Sequence, residues 1–305
     1  MHIVVTGGTG FIGRALCQSL SRSGHQVVVL TRSTGLTLPR VDAGLTTVVW
    51  KNREGGDWEQ HIQTADAVVN LAGEPIAAGR WSQERKQVIM DSRVNTTRAI
   101  ARALSSASPK PRAFISASGV GYYGTSPHKL FDERDGPGSD FFADLCRSWE
   151  EAAYEAQSST LRVACLRIGM VLERNGGALL KMVPPFRAFV GGPISPGTQW
   201  VSWIHRADLI GLIEWAIEHE RITGPVNAVA PEAVTMKDFS KSLGRALSRP
   251  SWLPVPGFAL QLAFGELASF MTTGQRVTPK VAVEEGYQFR YPHLDSALQS
   301  IFGDG

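Results

Sequence analysis

Residues 3–13, Ile-Val-Val-Thr-Gly-Gly-Thr-Gly-Phe-Ile-Gly, hold the spacing with the most chemical content in the chain. Gly7 and Gly8 can take backbone angles closed to residues with a Cβ. Gly10 leaves room for a pyrophosphate to approach the backbone, and Gly13 lets the following helix pack on the preceding strand. Thr9, Phe11 and Ile12 complete the same turn. Exposed N–H groups at the helix start, and the positive end of its dipole, then hold the anion. The bland alternative is an ordinary glycine turn. A strand before the turn, its place near residue 1 and a returning strand at Gln26 to Leu30 favour nucleotide binding.

The second strand ends Val29-Leu30-Thr31-Arg32-Ser33, without an acid. A site that prefers NAD usually has a carboxylate there, accepting from the ribose 2′-OH. Arg32 instead suits a 2′-phosphate and can stack on adenine, with Thr31 and Ser33 as further donors. The residues therefore favour NADP(H). The competing reading makes Arg32 a solvated surface residue.

Elements that would position these groups alternate as strand and helix, the pattern of a parallel sheet with right-handed crossovers. Strand patterns fall at Thr46 to Trp50, Ala65 to Leu71, Ala113 to Ala117 and Leu161 to Ile168. Helix patterns run from Ser82 to Ser105, with Ser82 as N-cap, and from Phe141 to Ala156. Beyond these the pattern loosens. Gly176 to Phe189, Ala207 to His219 and Met236 to Leu247 read as helices. Trp200 to Ile204 and Val226 to Val229 read as short strands, with an extended piece around Tyr287 to Tyr291. The expected fold is α/β, a Rossmann-type doubly wound parallel sheet with a smaller C-terminal α/β substrate-binding cap. Residues 1–170 plus 198–224 would form the nucleotide domain, and 171–197 plus 225–305 the substrate-binding domain.

Composition sets bounds. A chain of 305 residues, 43% apolar and 19% charged, has the make-up of a soluble globular protein with ample core. A net charge of +3 is too small to argue for nucleic acid. No apolar run reaches transmembrane length. Cys17, Cys146 and Cys165 are scattered and odd in number, which suits a reduced compartment and structural thiols. The histidines show no metal-ligand spacing, so no metal is expected. The fold is expected to begin at Met1 or His2, with no room for a signal or transit peptide. The expected location is the cytoplasm, or an organelle stroma if a transit peptide was removed, as a monomer or homodimer.

Thr6-Gly-Gly-Thr-Gly-Phe-Ile-Gly13, Asn70-Leu-Ala-Gly73, Asn95-Thr-Thr97 and Trp203-Ile-His-Arg-Ala-Asp208 together resemble the extended short-chain dehydrogenase/reductase superfamily. A narrower likeness rests on Asn70-Leu-Ala-Gly-Glu-Pro-Ile76, Arg80-Trp81, Ser116-Ala-Ser-Gly-Val-Gly-Tyr-Tyr-Gly124, Pro184-Pro-Phe-Arg187 and Gly191-Gly-Pro-Ile194. These are similar to an epimerase/dehydratase-like branch with a C-terminal domain of unknown function, here about residues 249–303. Relatives of that branch are labelled epimerase-family or cell-division inhibitor-like. The resemblance implies that Asn70, Leu71, Ala72 and Gly73 line the adenosine side. Glu74, Arg93, Ser116 and Arg167 are further candidate cofactor contacts, with Glu74 near the expected nicotinamide edge as a possible base or a loop cap. Arg167 would contact a ligand or pair with a carboxylate.

The superfamily's acid/base pair, Tyr-x-x-x-Lys, is absent. The family pattern places a Glu four residues after the Lys; counting back from Glu150 puts Cys146 at the Lys position and Phe142 at the Tyr position. Neither handles a proton as that pair does. Ser118 looks like the family's catalytic Ser, and Tyr122 and Tyr123 follow in a glycine-rich loop. These three are the candidate catalytic groups, against packing or substrate-contact roles for the tyrosines. Lys181 and Arg187 are candidate contacts to an anionic substrate, or solvated faces. His205 and Asp208 read as a strand–helix junction. Two functions remain: an NADP(H)-dependent, epimerase-like oxidoreductase acting on a small molecule with a non-standard catalytic set, or a catalytically silent NADP(H)-dependent sensor or scaffold.

Overall fold

The computed structural model describes residues 1–32, 44–50, 55–76, 81–109 and 111–303. Ser33 and Arg80 lie outside the described residues. In chain order the strands are β1 (His2–Thr6), β2 (Gln26–Thr31), β3 (Leu45–Val49), β4 (Ala67–Asn70), β5 (Ala113–Gly119), β6 (Leu130–Phe131), β7 (Arg162–Ile168), β8 (Met170–Leu172), β9 (Trp200–Val201), β10 (Trp203–His205), β11 (Gly224–Ala228), β12 (Val234–Thr235) and β13 (Arg276–Val277). The helices are α1 (Phe11–Arg22), α2 (Trp58–Gln63), α3 (Gln83–Ser105), α4 (Phe141–Tyr154), α5 (Leu179–Arg187), α6 (Arg206–Glu218), α7 (Met236–Ala246), α8 (Gly257–Phe264), α9 (Leu267–Thr272), α10 (Lys280–Glu284) and α11 (Leu294–Phe302).

Seven strands form one parallel sheet in the order β11-β7-β5-β4-β1-β2-β3. The chain winds outward from β1 in one direction, then returns to β4 and winds in the other. The reversal between β1 and β4 opens a crevice at the strands' C-terminal ends, where such sheets bind ligands. Alternation along each strand explains the continuous apolar runs. Ile3, Val5, Val27, Val29, Ile115 and Leu166 face α1 and α6, with Leu16, Leu20, Ile213 and Ile217. Val4, Val28, Val68, Phe114 and Val163 face the opposite layer, with Trp58, Ile62, Ile100 and Leu104. Both faces are buried, so both residue parities must be apolar.

Caps start the helices where local chemistry directs. Ser82 Oγ accepts from Arg85 N at 3.2 Å, and Asp140 Oδ1 accepts from Ala143 N at 2.9 Å. The expected strand Trp200 to Ile204 is interrupted at Ser202. Its first half, β9, pairs antiparallel with β12; its second half, β10, pairs parallel with β8. Ser202 Oγ donates instead to Gln275 O at 2.9 Å and accepts from Val277 N at 3.0 Å. Tyr287 to Tyr291 forms no strand. Asp208 holds this piece, accepting from Arg290 N at 2.6 Å and Tyr291 N at 2.9 Å, while Tyr287 Oη donates to Asp208 O at 2.8 Å. Beyond it, α11 packs Leu294, Leu298 and Phe302 against Phe239 and Leu243 of α7 and Trp203.

His205 closes the same junction. Its Nδ1 accepts from Ala207 N at 3.0 Å, capping α6, and burial lowers its pKa to about 4. The unfolded chain takes up this proton first, near pH 6.5. The stability contributed by the neutral ring is therefore complete above pH 6.5 and is lost as pH falls toward 4. Asn at this position keeps a capping oxygen and removes the titration. Urea unfolding across pH 7 to 4 is expected to cost the wild type about 2–3 kcal/mol more than His205→Asn.

Candidate active site at the C-terminal edge of the sheet

The glycine turn is built by close approach. Gly7 has φ +68°, and a Cβ there would lie 2.5 Å from Leu71 O. A Cβ on Gly13 would lie 2.2 Å from Gly7 O, and one on Gly8 would lie 2.7 Å from Val29 Cγ1. These three positions exclude side chains for packing reasons inside the protein. Gly10 differs: its Cβ would meet Gly7 O at 3.1 Å and nothing else within 4 Å. No side chain caps α1 at Gly10. The space beside Gly10 and the first N–H groups of α1 fit a pyrophosphate, which a larger residue would displace. Phe11 lies against Gly176 and Gly177, where added Cβ atoms would come within 2.2 Å and 3.3 Å of its ring. Sequence reasoning missed those two glycines, because their need arises from a ring far away in the chain.

Two rows of polar side chains cross the sheet near this edge. The register aligns Thr6 with Asn70 and Asn70 with Ser116. Thr6 Oγ1 donates to Asn70 Oδ1 at 2.7 Å, and Asn70 Nδ2 donates to Thr97 Oγ1 at 2.8 Å and Ser116 Oγ at 3.3 Å. Asn70 and Ser116 are fully buried. Their side chains brace the floor of the crevice from within, and Asn70 Oδ1 also orients the Ala72 N–H at 3.3 Å.

The second row aligns Ser118, Arg167 and Asn227. Arg167 is 3% exposed and forms a two-pronged pair with Glu150 of α4, Nε to Oε1 and Nη2 to Oε2, both at 2.9 Å. Ser118 Oγ donates to the same Glu150 Oε1 at 2.7 Å. Arg167 Nη1 donates to Tyr123 Oη at 2.9 Å, and Tyr123 Oη donates to Asn227 Oδ1 at 2.7 Å. Asn227 N donates to Glu133 Oε1 at 3.0 Å, and Asn227 Nδ2 donates to Thr278 O at 2.9 Å. Burial raises the Tyr123 pKa, against the pull of Arg167.

Arg167 takes the carboxylate alternative read from the sequence, turning inward to Glu150. Tyr123, 3% exposed, has its hydroxyl hydrogen-bonded on both sides. Ser118, 4% exposed, donates a hydrogen bond to Glu150. Glu150, Asn227 and Glu133 were missed as members. A signal existed for the first: Glu150 and Arg167 are opposite charges at buried positions of a helix and a strand, which must pair. Tyr122 differs from Tyr123. It is half-buried, and its ring lies 3.4 Å from the Arg167 guanidinium.

The Tyr and Lys positions of the superfamily are filled by other means. Phe142 packs on Phe270 of α9 at 4.1 Å and on Trp81 at 5.0 Å between ring centroids. Cys146 is buried beside Gly119, and burial pushes its thiol up to about 12. It is an inert core thiol at neutral pH.

At the other side of the crevice, Arg32 is 83% exposed and its Nη1 lies 2.9 Å from Glu74 Oε1. Glu74 therefore pairs with the residue that follows β2. The Glu74 N–H donates to Ser92 Oγ at 3.1 Å, and Arg93 Nη2 donates to Glu74 O at 3.0 Å. Arg93 is buried against Gly73 and beside the Trp149 ring, and desolvation lowers its pKa to about 10. Its Nε has no partner among the described residues. Lys181 and Arg187 lie exposed on α5. Among the described residues no three of His, Cys, Asp and Glu gather as a metal site, and no helix is long and apolar enough to cross a membrane.

Residues 3–228 match the NAD dependent epimerase/dehydratase family, and residues 255–301 match a domain of unknown function, DUF1731. The chain belongs to the NAD dependent epimerase/dehydratase family. An Arabidopsis thaliana relative, named epimerase family protein SDR39U1 homolog, chloroplastic, is 43% identical over 99% of this chain and 86% of its own. Epimerase family protein YfhF of Bacillus subtilis is 40% identical over 100% and 99%. The crystal structure of human epimerase family protein SDR39U1 (isoform 2) with NADPH superposes with a TM-score of 0.89, at 35% identity, covering both chains in full. A UDP-glucuronic acid 4-epimerase from Bacillus cereus shares the fold, with a TM-score of 0.79 at 18% identity over 99% of this chain and 98% of its own.

The buried row predicts an order of stabilities. Glu150→Ala strands the Arg167 charge in the core and is expected to cost about 3–5 kcal/mol. Tyr123→Phe removes one hydroxyl and is expected to cost about 1–2 kcal/mol. Urea unfolding measures both; equal costs would contradict the central place given to the ion pair.

Proposed function

We propose that the protein binds NADP(H) in the glycine crevice and acts as an epimerase-like oxidoreductase on a small molecule, without the Tyr-Lys pair. The observation that carries the cofactor reading is the open space beside Gly10 at an uncapped α1, with Arg32 and no acid at the end of β2. The human relative crystallised with NADPH supports it. The backbone from Gly7 to Gly13 would hold the pyrophosphate. Arg32, with Thr31 beneath it, would hold the 2′-phosphate, and the segment Asn70 to Glu74 would flank the adenosine. Bound NADP(H) supplies or accepts a hydride.

The chain's own contribution is orientation and exclusion of water. Tyr122, stacked on the fixed Arg167, is the phenol left beside the crevice for proton transfer. Ser118 orients through Glu150. Lys181 and Arg187 offer positive charge to an anionic substrate. Residues 1–170 with 198–224 would serve the nucleotide, and the remainder the substrate. The cytoplasm or an organelle stroma suits this function.

A second reading has its own observation. Phe142 against Phe270, with Cys146 behind them, puts apolar groups where relatives of the superfamily place a proton donor. That favours a silent NADP(H) sensor or scaffold.

Calorimetry with both nucleotides is the first test. NADPH should bind more tightly than NADH. Arg32→Ala should weaken NADPH by about 1.5–3 kcal/mol while sparing NADH. Gly10→Val should abolish binding of both in a folded chain. Equal wild-type affinities for the two nucleotides would refute the NADP(H) assignment. Deuterium passing from 4-deuterated NADPH to a carbonyl or sugar-nucleotide pool supports turnover; tight binding with no transfer selects the sensor.

A further inference from the structure

We infer that Glu74 is a cofactor-selecting residue: its carboxylate competes with the 2′-phosphate for Arg32 and narrows the preference for NADP(H) over NAD(H). The inference rests on the cofactor reading above and concerns the adenosine end alone.

Three observations carry it. First, the loop is fixed by its backbone. The Glu74 N–H donates to Ser92 Oγ at 3.1 Å, and its carbonyl accepts from Arg93 Nη2 at 3.0 Å. The next carbonyl, of Pro75, accepts from Arg85 Nη2. A Cβ on Gly73 would lie 2.9 Å from Arg93 Cζ, so the loop sits tightly on α3. Second, the Glu74 side chain spans the gap to the end of β2. Its Oε1 lies 2.9 Å from Arg32 Nη1, with Oε2 4.0 Å from Arg85 Nη1. Third, the Arg32 side chain is 83% exposed, whereas the Glu74 side chain is 25% exposed.

A phosphate that takes Arg32 must therefore either displace Glu74 or share one guanidinium with it. Displacement is easy, because an exposed ion pair contributes little. The carboxylate nevertheless stays close, since its loop is pinned, and two anions around one cation repel. An unphosphorylated ribose meets no such repulsion. It presents a hydroxyl, for which a carboxylate is an acceptor, the group β2 itself lacks. Charge at residue 74 thus penalises one nucleotide and not the other. Glu74→Gln removes that charge and leaves the backbone anchors to Ser92 and Arg93 in place.

The test titrates the full chain by calorimetry with NADPH, NADH, 2′-phospho-AMP and AMP. The two shorter nucleotides read the adenosine end without the nicotinamide. Glu74→Gln is expected to tighten NADPH and 2′-phospho-AMP by roughly fivefold at low salt. NADH and AMP should be unchanged or weaker. The gain should shrink as ionic strength rises. In an Arg32→Ala background it should fall to a smaller residue of direct repulsion. Thermal unfolding of each variant checks that the fold is intact. Glu74→Gln that weakens NADPH, or leaves the NADPH-to-NADH ratio unmoved, overturns the inference while the cofactor reading stands. A wild-type chain that binds neither nucleotide overturns the cofactor reading and this inference with it.

Discussion

The pairing of Arg167 with Glu150 sets the terms for the rest of the site. Each charge loses water on burial, at several kcal/mol per ion. The structure offsets this with complete partnering. Arg167 has both carboxylate oxygens, the Tyr123 hydroxyl and the Tyr122 ring face. Glu150 has the guanidinium and the Ser118 hydroxyl. Satisfying a buried ion pair engages the hydroxyls of Ser118 and Tyr123. Two residues that look catalytic by type and place are held as ligands of an internal charge.

The same row joins the sheet to the C-terminal part of the chain. Asn227 links Tyr123 to the Thr278 carbonyl, and Glu133 accepts from Asn227 N and Val281 N. Lys280 pairs with Asp132 at 2.8 Å, while β13 lies beside β6. Burial raises the Glu133 pKa, and its second oxygen has no partner among the described residues. Hydrogen bonds and the buried Val277 together fix where the segment from Gln275 to Val281 lies. Phe270 of α9 packs on Phe142, so the segment that matches the domain of unknown function touches both the buried polar row and this apolar corner.

The two ends of the crevice differ in physical character. The strand-five end is buried and held by a network of hydrogen bonds. The β2 end is wet, with Arg32 and Glu74 paired at the surface in high dielectric. Groups at the first end hold their positions through costs of several kcal/mol; groups at the second exchange partners readily. The nucleotide discrimination proposed above would belong to the exchangeable end.

Much was legible in the residues alone. The spacing of Gly7, Gly8, Gly10 and Gly13, the buried apolar strands and the cap at Ser82 are local facts, written within one or two turns of chain. They determine the Rossmann-type doubly wound sheet and the seat of the glycine turn. The absence of Tyr-x-x-x-Lys was equally visible, since it is a matter of residue identity. What only the tertiary structure decided is where each polar side chain finds its partner. Register set Ser118 beside Arg167 and Arg167 beside Asn227, and the approach of α4 delivered Glu150 to Ser118 and Arg167. Glu74 met Arg32 across 42 positions, and Phe11 met Gly176 in a different segment. Hydrogen bonds and ion pairs are directional and short, so their membership depends on positions fixed to a fraction of an ångström by distant parts of the chain. Apolar burial is non-directional, and a pattern of residue types is enough to foretell it.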